Sequence, residues 1–350
     1  MNMHRHTPVL SGSDTAKPSF GSAVGRLLAS LARKALLFVV MLFALSVVVF
    51  YVSRLTPGDP LQSFYGDAMA SMSPAELEAA RHRLGLDGPI RRQYGAWLGN
   101  VVRGDFGISL KYTRPVLDVV SPLIGNTLIL GGLAYALVFI LAVGVALICA
   151  RFEDAWPDRL LRRLGTVAFY TPAFWLGVLL VLIFSVNLKW LPGSGAYGIG
   201  KAGDWGDRLR HLSLPLIVMV AGHLWYYAYM IRNKLLDEVR RDYVSLARAK
   251  GLGRTRVLTG HCLRNVLPTI VGIMAVSVPH VLSGTYVAEA VFNYPGIGLL
   301  SVSSAKYHDY NLLMLMVLIT GALVMLSSLA AQAINEIIDP RMKASEGGRE

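Results

Sequence analysis

Apolar and polar residues fall along this chain in long blocks, not in the short alternations of a soluble fold. Six uncharged runs stand out, at residues 35–52, 127–150, 165–188, 212–231, 266–288 and 311–334. A helix rises about 1.5 Å per residue and a bilayer core is about 30 Å thick, so runs of this length suit crossing helices. The pattern predicts an all-α integral membrane protein with six transmembrane helices. The first run is too long for the apolar region of a signal peptide. It follows a polar leader, 1–34, and is succeeded by Arg54-Leu55-Thr56-Pro57 instead of small residues, so it reads as a retained span. Pro172, Pro215, Pro268 and Pro279 lie inside later runs. Each would break a soluble helix, but in a membrane bundle neighbouring helices can re-satisfy the freed carbonyl.

Composition agrees with the pattern. Charged residues make up 16% of the chain, where soluble domains carry about 25%. Two cysteines, Cys149 and Cys262, exclude a disulfide scaffold, and no Cys/His cluster suggests a metal site. The net charge of +12 has a topological reading. With the N-terminus and C-terminus both cytoplasmic, the inner segments carry 21 Lys/Arg. The outer loops carry 5, leaving aside the long segment 54–124. Such a bias sets orientation by the positive-inside rule. The inner side then holds +10 of the surplus and the outer side +2, so no nucleic-acid partner is needed to explain it. The expected organisation is a leader (1–34), a first helix (35–53) and an extracytoplasmic helical segment (54–124). A core of five helices (125–338), containing inner loop 232–264, and a tail (339–350) complete it.

Several short motifs imitate chemistry. The outer loop 193–202 contains GxGxxG twice and GxxxxGK once. It follows a membrane run instead of a strand, and Ala202 stands where a phosphate loop needs a hydroxyl. It reads as a flexible glycine-rich turn. Asp105-Phe106-Gly107 spells a kinase tripeptide without the other kinase motifs. His223 and His280 lie in the fourth and fifth runs. No carboxylate accompanies them within the runs, so they read as neutral histidines bonded to neighbouring helices. Trp225, Tyr226, Tyr227 and Tyr229 share the fourth run and either line a path or pack between helices.

The inner loop 232–264 is the most informative stretch. Asp242 is a suitable N-cap and Gly251 a suitable residue just past the helix end, which predicts a short helix over 243–250. Ser245, Ala247 and Ala249 are small, so another protein surface can approach closely. Arg240, Arg241, Arg248 and Lys250 surround them with positive charge. An ordinary solvated interfacial helix would have the same composition. The string Asp242-Tyr243-Val244-Ser245-Leu246-Ala247-Arg248-Ala249-Lys250-Gly251-Leu252 resembles the ATPase-coupling loop of binding-protein-dependent ABC importer permeases, and most nearly the dipeptide/oligopeptide permease family. His261, Leu263-Arg264-Asn265 and Pro268 continue the likeness. So do Pro57-Gly58-Asp59-Pro60, Leu84 to Pro89, Gly104 to Ser109, Asn126-Thr127-Leu128 and Tyr170 to Trp175. Glu289, Phe292, Pro295, Gly296 and Gly298 resemble the family's outer turn, and Asp339-Pro340-Arg341 its tail. Gln332, Asn335 and the leader depart from the family's pattern.

The resemblance implies a type I ABC importer permease in a bacterial plasma (inner) membrane, a transport subunit and not an enzyme. It implies a second homologous permease, two cytoplasmic ATPase subunits holding ATP and Mg, and an extracytoplasmic substrate-binding protein. No cofactor is expected on this chain. The ATPase-facing residues would be Asp242, Tyr243, Ser245, Ala247, Arg248, Ala249, Lys250 and Gly251, and the path would involve His223, Trp225, Tyr226, Tyr229 and His280. Dipeptides or short peptides are the expected cargo, with oligopeptides, nickel chelates, glutathione or oligosaccharides as family alternatives. An ion-coupled secondary transporter is the rival class; it would be expected to place carboxylates at mid-membrane, which these runs lack.

Overall fold

The computed structural model describes residues 20–55, 61, 65–83 and 85–338. The first part of the leader, Pro57-Gly58-Asp59-Pro60, Leu84 and the Asp339-Pro340-Arg341 tail lie outside the described residues, as do the side chains of Gln332 and Asn335. Among the described residues the chain is helical, with one isolated bridge, between Ile108 and Pro115.

Helix α1 (Phe20–Leu55) leads through a 3-10 turn to α2 (Pro74–Arg83) and α3 (Ile90–Val102). Then come α4 (Val116–Arg151), α5 (Trp156–Tyr170) and α6 (Ala173–Leu180), which continues as a π-helical stretch, Val181–Asn187. Helix α7 (Trp205–Val239) and the short α8 (Asp242–Ala249) follow. A turn of helix α9 (Arg254–Val257) passes through a π-turn into α10 (Leu263–Ser283), then α11 (Thr285–Val291), α12 (Ile297–Lys306) and α13 (Tyr310–Ile338).

Among the described residues five helical stretches are long and apolar enough to cross a membrane, or six if the bent pair α5 and α6 makes one span: Ala32–Leu55, Val116–Arg151, Trp205–Val239, Arg254–Val291 and Tyr310–Ala330. The third apolar run, which contains Pro172, does not form one continuous helix. It is divided between α5 and α6, which meet at 97°. Pro172 explains the break. Its ring disfavours helical backbone at the preceding residue, and Thr171 is accordingly extended at φ −77°, ψ 122°. The Thr171 hydroxyl donates to the Val167 carbonyl (2.8 Å), occupying an acceptor left at the helix end.

Helices α4 and α7 form the central pair. Leu130, Ala134, Val138, Ala142, Ala146 and Ala150 of α4 are fully buried and recur every fourth residue, making one ridge. Four of the six are alanine, so α7 can lie close against it, as small residues permit in membrane helices. Both helices outrun a bilayer: 36 residues of α4 span about 54 Å. Helix α7 extends seven residues beyond its apolar run at the start and eight at the end, because hydropathy marks the lipid-covered part and not the helix. Helix α4 likewise begins at Val116, inside the outer segment. Over residues 35–52 helix α1 is apolar all round and mostly exposed, and it meets α13 where Leu45 lies against Gly321. Such a surface belongs in lipid or against another helix.

Two loops are firmer than their composition suggests. The glycine-rich loop 193–202 is tied down, with Gly195 N–H donating to the Phe292 carbonyl (3.0 Å) and Gly198 N–H to Asp207 (2.6 Å). Ala196 within it is buried. The Asp105-Phe106-Gly107 stretch is a turn in which Asp105 accepts from Gly107 N–H (2.8 Å). Beyond it Ser109 donates to the buried Asp309, which also caps α13 through Leu312 N–H (3.3 Å). These bonds fasten this stretch to the last helix.

Candidate functional site

Segment 232–264 is mostly helix. Helix α7 runs on to Val239 and α9 begins at Arg254, so the connection proper is 240–253 with α8 inside it. Helix α8 starts one residue earlier than expected. Asp242 is its first residue and not its cap; Arg241, extended at φ −74°, ψ 149°, occupies that place without a side-chain bond. An acidic first residue still complements the helix dipole. The other end follows expectation. Gly251 is left-handed at φ +83°, its N–H donating to the Arg248 carbonyl (2.9 Å) while Leu252 N–H donates to Ala247 (3.2 Å). This pair of bonds is a Schellman motif, and the positive φ it demands accounts for the glycine.

The faces of α8 differ from the expected ones at one point. Val244 and Ala247 are buried against the chain's own core, so Ala247 points inward. The outward face is Ser245, Leu246 and Ala249, flanked by Arg248 and Lys250. Leu246 is 58% exposed, an apolar side chain held out among charges. Tyr243 turns back toward the bundle, and burial together with its bond to Glu238 pushes its phenol well above the usual range.

The loop rests on an ion-pair network supplied by the turn between α4 and α5. Arg232 donates through Nε and Nη2 to the two oxygens of Asp158 (2.9 and 2.6 Å), and both residues are buried. Arg162 stands 3.5 Å from the same carboxylate and 3.2 Å from Asp154. Glu153 lies between Arg240 (3.3 Å) and Arg254 (3.6 Å), one on each side of α8. A bidentate Arg–carboxylate pair fixes geometry as well as charge. The sequence shows three acidic residues close together at Glu153, Asp154 and Asp158, but summing loop charges hides which arginines they hold.

The turn at 289–298 is built round Glu289, which is fully buried. Thr127 donates to its Oε1 (2.7 Å) and Leu299 N–H to its Oε2 (2.8 Å). Thr127 in turn accepts from Ile297 N–H (2.9 Å), and Asn126 donates to the Pro295 carbonyl (2.9 Å) and accepts from Arg208. Gly296 passes directly over the Glu289 carboxylate, leaving no room for a Cβ, and Gly298 lies beside it. Phe292 is buried beneath. Thr127 opens the second apolar run and Asn126 immediately precedes it; folding brings both to this turn.

Of the five expected path residues, His223 and His280 meet edge to face with ring centroids 5.0 Å apart. Tyr227 lies 2.9 Å from His280 Nδ1, and His223 Nδ1 bonds the Met219 carbonyl of its own helix (2.8 Å). Trp225 packs on Gly165 of α5. Tyr226 and Tyr229 are exposed and help line a cavity of about 530 Å³ between α4, α5 and α7. Arg162 and Arg232 also line it.

Comparison with known proteins agrees with this geometry. Residues 142–344 match the model of the binding-protein-dependent transport system inner membrane component, and residues 27–126 match the N-terminal model of the same systems. The oligopeptide transport system permease protein AppB of Bacillus subtilis is 31% identical over 89% of this chain and 98% of its own length. The glutathione transport system permease protein GsiC of Escherichia coli K12 is 34% identical over 86% of this chain and 94% of its own. Among solved structures, the inward-facing MetNI methionine ABC transporter is similar with a TM-score of 0.50 and 16% identity. The match covers 64% of this chain and 97% of that one, a likeness of fold alone. This chain belongs to the family of binding-protein-dependent transport system inner membrane components.

Proposed function

We propose that this chain is the membrane-spanning permease subunit of an ATP-driven importer of short peptides. Its N-terminus and C-terminus face the cytoplasm, it pairs with a second permease, and segment 54–124 covers the outer side, where a binding protein delivers cargo. Helix α8 docks into two partner ATPase subunits' shared assembly by seating Leu246, Ser245 and Ala249 in a groove of one of them. The single observation that carries this reading is the construction of α8. It is a capped helix that buries Val244 and Ala247 inward and presents Leu246 outward, clamped to the bundle through Glu153. The resemblance of its residues to the coupling loop and the names of the peptide-transporting relatives support the same reading.

ATP binding would close the ATPase pair, displace α8 and bias the bundle toward outward access; hydrolysis would reset it. A ligand shifts such an equilibrium only through its differential affinity for the two states, and here that ligand acts on the partners. Peptides would pass along the face bearing Tyr226, Tyr229 and His280. In proteoliposomes holding the full assembly, uptake of labelled dipeptides should require ATP and be blocked by vanadate. Uptake driven by a proton or sodium gradient without ATP would overturn the proposal. Leu246→Asp should cut uptake by about tenfold or more, as loss of a buried apolar anchor does at interfaces, while leaving the purified chain folded. A cysteine at Ser245 should crosslink to an ATPase subunit; one at Ala247 should not.

A further inference from the structure

Glu238 stands in a place that helix electrostatics disfavour. It lies in the last turn of α7, where the helix dipole is negative and acidic side chains are destabilising. A local rule broken in this way points to a compensating role. Its surroundings supply one. The Tyr243 hydroxyl donates to Glu238 Oε1 (2.8 Å), Asn265 Nδ2 donates to the same oxygen (3.2 Å), and Arg241 Nε lies 3.9 Å from Oε2. Tyr243 belongs to α8, Asn265 to α10 and Glu238 to α7. One carboxylate therefore joins the short docking helix to the membrane helices on both sides of it in sequence.

The remaining attachments of α8 do not reach both membrane helices. The Val244 and Ala247 contacts are apolar and non-directional, and Glu153 holds Arg240 and Arg254, residues flanking α8 instead of lying on it. The Tyr243 hydroxyl also reaches Cys262 and Asn265, which ties α8 toward α10 but not to α7. Hydrogen bonds to a charged acceptor are both stronger and directional. We propose that Glu238 is the positioning residue that makes α8, α7 and α10 move as one body, so that displacement of α8 by the ATPase reaches both membrane helices. This rests on the importer reading above and adds the residue that transmits the motion.

The test uses the complete importer in proteoliposomes, with a tritium-labelled peptide pool as probe, and reads peptide imported per ATP hydrolysed. Glu238→Ala should lower that ratio about tenfold, in line with losing bonds to a charged group, while ATP hydrolysis continues. Tyr243→Phe removes the bond to Glu238, together with the hydroxyl's reach to Cys262 and Asn265, with almost no change of shape and should lower the ratio in the same direction. The double variant should lose less than the sum of the two single losses, because neighbours sharing one contact are not additive. Glu238→Gln, which keeps an acceptor oxygen, should restore part of the ratio. A merely structural residue would lower assembly and hydrolysis together and leave the ratio unchanged. An unchanged ratio in Glu238→Ala and Tyr243→Phe, or losses that simply add, overturns the inference while the importer reading stands. Absence of ATP-dependent uptake by the unaltered complex overturns the peptide-importer reading and the inference with it.

Discussion

Glu289 shows how much one side chain can organise. Its two oxygens accept from Thr127, 162 positions away in sequence, and from Leu299 N–H, and Gly296 has to be glycine for the turn to pass over it. Gly296→Ala should destabilise the protein by about 1–3 kcal/mol, the usual cost of overpacking, read as a lowered melting temperature in detergent. Gly251→Ala should behave differently. Its Cβ would meet nothing within 4 Å, so the cost is that of left-handed backbone, about 1–2 kcal/mol, and confined to α8. It should appear as faster proteolysis near Arg248 with little change in global melting. The sequence marks both glycines through resemblance to a motif. It cannot show that one is required by a carboxylate and the other by a dihedral angle.

At the scale of elements, the pairing of α7 with the α4–α5 turn governs where α8 sits. Asp158→Ala would leave Arg232 buried without its partner, which typically costs about 3–5 kcal/mol and should be visible in thermal unfolding. Adding Arg232→Leu should recover much of that loss, because a buried pair replaced by apolar groups is often neutral. The elements themselves were largely legible. Uncharged runs located α1, α4, α7, α10 and α13, and Asp242 with Gly251 bracketed α8 to within a residue. Pro172 marks a break in the third run, but hydropathy is blind to direction: Thr171-Pro172 is as compatible with a kink as with the 97° turn observed. The aromatic group of α7 is divided as well. Tyr227 is buried in the packing, while Trp225, Tyr226 and Tyr229 line the cavity between α4, α5 and α7.

For the whole molecule, the proposed orientation can be tested directly. Both native cysteines are buried, so introduced ones report cleanly. In sealed right-side-out vesicles, Ser245→Cys should react only with a permeant reagent, and Tyr112→Cys with an impermeant one. The reverse pattern would invert the topology. The positive charge that predicts this orientation is not simply solvated. Arg232, Arg240 and Arg254 are engaged with Asp158 and Glu153, so part of the inner surplus builds the platform under α8. Gly104–Pro115 is likewise drawn onto Asp309 and Asn311, which joins this stretch to the start of the last helix.

The sequence by itself determined that this is a helical membrane protein, where its apolar helices lie and which family it resembles. Those are properties of composition, run length and ordered short motifs, all local along the chain. Only the tertiary structure decided that Leu246 and not Ala247 faces outward, that Glu238 ties α8 to two membrane helices, and that Glu289 closes the turn at 289–298. Each depends on contacts between residues distant in sequence or on which side of a short helix is covered. Burial and hydrogen-bond partnership arise only when helices pack, and no spacing of letters encodes them directly.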